Sequence, residues 1–84
     1  MSVSVRPLER TTPCSEAQAA LQSSPFFDLR ELTVEEVDGQ RLVLRGMVSS
    51  FYHKQLAQEV VLALVKARSY RVVNSIEVID TLTN

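Results

Sequence analysis

The fold turns on one stretch, residues 41–74, RLVLRGMVSSFYHKQLAQEVVLALVKARSYRVVN. A strand-like run reaches Gly46, turns through Ser49-Ser50 and enters a long patterned segment. A glycine between a strand and a helix can open a phosphate-binding loop. The Walker pattern needs a second glycine followed by lysine, and the dinucleotide pattern needs three glycines. Gly39 and Gly46 are the only glycines in the chain. Gly46 therefore reads as a corner, where the strand bends or the following helix packs closely.

Beyond the corner, Ser50 or Ser49 can cap a helix running from about Phe51 to Ala67. At about 100° per residue, Tyr52, His53, Leu56, Ala57, Val60, Ala63, Leu64 and Ala67 form a broad apolar stripe. Lys54, Gln55, Gln58, Glu59 and Lys66 lie opposite, and Val61 flanks the stripe. Leu62 and Val65 fall among polar neighbours and are expected at the surface. A third strand follows, Val72 to Asp80, with Val72, Ile76 and Val78 in phase. Helical crossovers join parallel strands by a right-handed path, so this strand is expected to run parallel to the one ending at Gly46.

Upstream, ELTVEEVDGQRLVLRGMV reads as a hairpin. A two-residue Asp38-Gly39 loop would pair Val34 with Val43 and put Leu42 and Leu44 on the wrong face. A three-residue loop, Val37-Asp38-Gly39, pairs Val34 with Leu42 and Leu32 with Leu44, so all four aliphatics share one face. On the other face Glu35 would meet Arg41 and Glu31 would meet Arg45. Gly39 is expected to take the left-handed conformation of such loops.

Further upstream, Thr12-Pro13 reads as a helix start and Pro25 as its stop. Cys14, Ala17, Ala20, Leu21 and Ser24 share a face. Phe26 and Phe27 are expected to plug the exit of this helix. Residues 1–11 are polar and unpatterned, which predicts a mobile N-terminal tail before a single domain over residues 12–84. The predicted fold class is α+β. Its order is helix-strand-strand-helix-strand, a three-stranded mixed sheet with two helices packed on one face.

The 84 residues are 45% hydrophobic and 23% charged, a folded rather than disordered composition for one small core. Nine basic and ten acidic side chains leave no global field for nucleic acid. Cys14 and His53 are the only cysteine and histidine, so no disulfide framework forms and no metal or catalytic constellation is spaced for. No cofactor is implied. The N-terminus lacks the apolar core of a secretion signal, and the longest apolar run is far short of a membrane span. As written, the chain reads as soluble and cytoplasmic; a piece cut from a longer exported protein would be associated with an envelope.

The pattern resembles the BON domain, the module named from bacterial osmotically inducible and nodulation proteins. The resemblance covers about Ala17 to Val78. It rests on Leu44-Arg45-Gly46-Met47-Val48, the serine pair, Lys54, Leu56-Ala57 and Ala63, and on Val72-Val73-Asn74-Ser75-Ile76-Glu77-Val78. Arg68-Ser69 replace the Gly-Val that the family commonly carries before its last strand. The resemblance implies a non-enzymatic binding module, often linked to envelopes and phospholipids.

Lys66, Arg68, Tyr70 and Arg71 are the one basic concentration. Cations favour a helix C-terminus, where the dipole is negative. Together with Leu62 and Val65, they also make a candidate binding surface for anionic phospholipid headgroups or a protein partner. A small nucleic-acid-binding α/β domain is the alternative, disfavoured because stacking aromatics are scarce. Among single residues, His53 is expected at the edge of the core, Cys14 as a small buried hydrophobe, and Asn74 as a partner for backbone groups at a bend.

Overall fold

The computed structural model describes residues 12–79. The expected tail and residues 80–84, including the expected strand end at Asp80, lie outside the described residues. The elements are α1 (Pro13–Gln22), α2 (Phe27–Arg30), β1 (Thr33–Val37), β2 (Arg41–Val48), α3 (Phe51–Val65) and β3 (Arg71–Val78). The strands form one mixed sheet in the order β1-β2-β3, antiparallel between β1 and β2 and parallel between β2 and β3. The fold is the predicted α+β arrangement, with the single turn of α2 added between the first helix and the first strand.

Local chemistry sets the helix starts. Thr12 Oγ1 accepts a hydrogen bond from the Ser15 N–H at 3.0 Å, and Pro13 occupies the first turn, where its missing N–H is no loss. Ser50 caps α3 through a 3.2 Å bond from the His53 N–H to its Oγ. The core lies between one face of the sheet and the helices. Leu42, Leu44, Val48 and Ile76 come from the sheet, Ala17 and Leu21 from α1, Leu29 from α2, and Ala57, Val61 and Val65 from α3.

Three expectations need correction. The hairpin register is Val34 against Leu44 and Glu36 against Leu42, two residues along from the expected Val34–Leu42 and Leu32–Leu44 pairs. Val37 stays in β1 opposite Arg41, and the loop is Asp38-Gly39-Gln40. Asp38 (φ 62) and Gly39 (φ 68) are both left-handed. A shift of two preserves which face each side chain takes, so alternation alone could not detect it. Glu35 consequently pairs diagonally with Arg45 (2.8 Å), and Arg41 with Asp38.

Second, the buried face of α3 is centred on Ala57, Val61 and Val65. Val65 is only 1% exposed, not the surface residue expected. Leu56, Val60 and Leu64 flank this centre, half-buried against the core, while Ala63 and Tyr52 are exposed. The helix is rotated because it must cover β2 and β3 while also packing on α1. Third, Phe26 and Phe27 do not plug the exit of α1; α2 turns Leu29 inward instead.

Gly46 is the corner between the two halves of the fold. Its φ is 134, and a Cβ built there would lie 2.7 Å from Leu32 Cδ2 and 3.4 Å from Leu32 Cα. Thr33 pairs with Arg45, so one step further Leu32 faces Gly46 and fills the space a side chain would need.

Candidate binding surfaces

The basic cluster is brought together only in part. Arg71 opens β3, with its N–H bonded to Gln40 O at 2.8 Å. Beside it, Gln40, Arg41, Ser69, Tyr70 and Arg71 line an open cleft of ≈ 430 Å³. Tyr70 is half-buried against the core. Arg68 pairs with Glu16 at 3.5 Å, and Lys66 is exposed at the end of α3. Leu62 is 37% exposed and points toward β3 rather than toward this cleft. Val65 belongs to the core and leaves the surface altogether.

At the opposite end of α3 a different cluster forms, which the pattern of alternation did not reveal. Asp28 Oδ2 accepts from the Ser49 N–H (2.8 Å) and the Ser49 hydroxyl (2.7 Å), and lies 2.8 Å from His53 Nδ1. The two Ser49 donors and His53 hold the Asp28 carboxyl at about 2, well below its ordinary value. This ties α2 to the start of α3. A serine nucleophile needs the imidazole between hydroxyl and carboxylate. Here Ser49 and His53 both engage the same carboxylate oxygen, so the array is a staple and not a relay.

Around the staple sit most of the chain's aromatic rings. The sequence holds three phenylalanines, two tyrosines and no tryptophan. Phe26 packs edge-on to Tyr52 (centroids 6.3 Å) and against His53 (5.0 Å). Arg30 lies over the ring of Phe27 at 5.7 Å. Phe27, Phe51 and Tyr52 are 65%, 74% and 63% exposed. Met47 and Ile79, also exposed, line a small open cleft here with Asp28, Val48 and Ser49. A signal for this end exists in the sequence: Phe26-Phe27 and Phe51-Tyr52 are adjacent pairs, and neighbours on a helix diverge by about 100°, so one narrow buried face cannot take both.

The remaining singled-out residues have structural partners. The Cys14 thiol donates to Val34 O at 3.3 Å, and its pKa is raised by burial and then by the nearby Glu36 charge, which keeps it protonated. Gln18, not singled out by the sequence, donates from Nε2 to Leu32 O (2.8 Å) and accepts from the Val34 N–H (2.9 Å). Asn74 lies within β3 rather than at a bend. Its Nδ2 donates to Lys54 O (3.1 Å) and Gln58 Oε1 (3.0 Å), and its Oδ1 accepts from the Ile76 N–H (3.1 Å). No described helix is long and apolar enough to cross a membrane. No protein-family model matches the chain, and no curated protein matches it.

Proposed function

We propose that the chain is a non-enzymatic interaction module that docks on a protein partner through its aromatic end. The observation that carries this reading is the exposure of Phe27, Phe51 and Tyr52 together with Met47 beside Arg30. Aromatic residues, methionine and arginine are the types enriched where proteins meet, and lysine and glutamate are depleted there. Anchors of this kind carry most of the energy of an interface. The resemblance to BON domains agrees with a binding role and against an enzymatic one.

The anionic-lipid reading needs apolar side chains and cations side by side. Lys66 and Arg68 follow the C-terminal end of α3, and Phe51 and Tyr52 begin it. Fifteen helical residues separate the two groups by about 22 Å. The burial of Val65 removes one of the aliphatics that would have accompanied Lys66.

A photo-crosslinking amino acid placed at Phe27, Tyr52 or Lys66 in cells of the source tests the proposal. Positions 27 and 52 should yield the same protein adduct, and position 66 should not. Phe27→Ser with Tyr52→Ser should abolish capture of that partner by purified chain while leaving the melting transition in place. Adducts no stronger at 27 and 52 than at 66 would refute it. Binding to anionic vesicles that depends on Lys66 and not on Tyr52 would instead favour the lipid reading.

A further inference from the structure

We infer that β3 is a self-complementary edge, built to pair antiparallel with β3 of a second copy of this chain. β3 closes one side of the sheet. The Arg71 N–H bonds to Gln40 O and the Ile79 N–H to Val48 O, so odd-numbered residues turn their amides toward β2. The amides of Val72, Asn74, Ile76 and Val78 therefore point out along the free edge. Among the described residues, the Ile76 amide alone is covered there, by Asn74 Oδ1. An extended backbone is the chemistry that satisfies such a row.

Charge selects the occupant and the register. On the face away from the helices, β3 presents Arg71, Val73, Ser75 and Glu77, and Arg71, Ser75 and Glu77 are exposed. Neither Arg71 nor Glu77 has an ion pair within the described chain. A two-fold axis through Asn74 sets Arg71 against Glu77 of the second copy, and Glu77 against its Arg71. Val73 then faces Ser75, and on the other face Val72 meets Ile76. Moving the axis to Ser75 puts Arg71 against Ile79 and loses both charge pairs. In the chosen ladder the Ile76 N–H exchanges Asn74 Oδ1 for Val72 O of the second copy.

The helix above this edge obeys the same axis. Phe51, Gln55, Gln58 and Leu62 fall within about 60° of one another on α3. Asn74 bonds to Lys54 O and Gln58 Oε1, which places the axis level with the Gln55–Gln58 turn. A two-fold there sets Phe51 beside Leu62 of the second copy, and Gln55 beside its Gln58. Phe51, Lys54, Gln55, Gln58 and Asn74 already line an open groove of ≈ 210 Å³ along this edge. With strands about 4.8 Å apart and α3 packed across β2 and β3, the two helix axes would stand about 10 Å apart, a normal packing distance.

Sedimentation of the full chain from about 10 μM to 1 mM at low salt tests this over the affinity range of weak dimers. The mass should rise from 9.4 kDa toward twice that value. Arg71→Glu and Glu77→Arg, each alone, turn both attractive pairs repulsive and should move the midpoint at least about tenfold higher. Mixing the two single variants restores both pairs in a heterodimer, and the double swap restores them in a homodimer. Both residues are exposed, so unchanged melting of each variant is the expected control. A wild type that keeps the monomer mass throughout would overturn the inference. So would a dimer indifferent to both single swaps, or a mixture no tighter than its components.

Discussion

Replacing Gly46 with alanine sets two costs against one another in a single residue. The first is conformational. At φ 134 a side-chain-bearing residue sits outside its allowed regions, at about 1–3 kcal/mol. The second is steric, because the new Cβ would stand 2.7 Å from Leu32 Cδ2 and 3.4 Å from Leu32 Cα. The leucine's end can swing, but its Cα belongs to the backbone and Leu32 is buried, so overpacking adds about 1–3 kcal/mol. The total of about 2–6 kcal/mol compares with a whole stability of roughly 4–10 kcal/mol for a domain this small. Gly39→Ala is the control. Gly39 also has positive φ (68), but its nearest neighbour is Glu36 Oε2 at 3.9 Å, so only the conformational cost of about 1–2 kcal/mol applies. Urea unfolding followed by circular dichroism measures both. In a double-mutant cycle, Leu32→Ala should recover the steric part of the Gly46→Ala loss and leave the conformational part. A Gly46→Ala protein within about 0.5 kcal/mol of wild type, or no dearer than Gly39→Ala, would refute the reasoning.

Acid unfolding should report on the staple. The folded Asp28 carboxyl titrates at about 2 against an ordinary 3.8, so its contribution of about 2 kcal/mol is present above pH ~4 and fades as the pH falls toward 2. Asp28→Asn should therefore be less stable than wild type at pH 6 and show a flatter loss across that window; parallel curves would contradict the assignment. Val65→Glu should unfold the domain, while Leu62→Glu in dilute solution should stay within about 0.5 kcal/mol of wild type by thermal melting. Gln18→Leu leaves Leu32 O and Val34 N–H without their partner, which should cost about 1–3 kcal/mol and speed amide exchange at Val34.

The parts of this fold that follow from short-range chemistry are legible in the sequence. Thr12-Pro13 and Ser50 announce their helices because a cap needs only neighbouring atoms. The alternation through Leu42, Leu44, Val72 and Ile76 announces the core face of the sheet because side chains on a strand repeat every two residues. Register is a different matter: parity fixes the face and leaves shifts of two open. What resolves it is the contact between Leu32 and Gly46, across a distance in sequence that no local pattern spans. The buried face of α3 was misjudged by the same route. Leu56, Val60 and Leu64 are larger on average than Ala57, Val61 and Val65, and a stripe weighted by bulk follows them. The sheet lies close beneath α3 and takes the smaller set, while the larger side chains lean toward α1. Asp28 gave no pattern at all, since its donors come from one residue of the β2–α3 turn and one of α3.

The side chain of Gln18 has a consequence for what this molecule can become. Its amide offers one donor and one acceptor to Leu32 and Val34, as a residue of a neighbouring strand would. Cys14 occupies the next carbonyl, that of Val34. A sheet with two open margins can be extended without limit, copy upon copy, and such propagation is the route to fibres. Here the β1 margin is already terminated from within by two side chains of a helix, so the sheet has a valence of one. Any strand that joins β3 brings its own sheet to a stop at the far side, and two copies joined there would present a terminated margin at each end. Gln18→Ala would reopen the second margin, converting a finite object into a repeating unit.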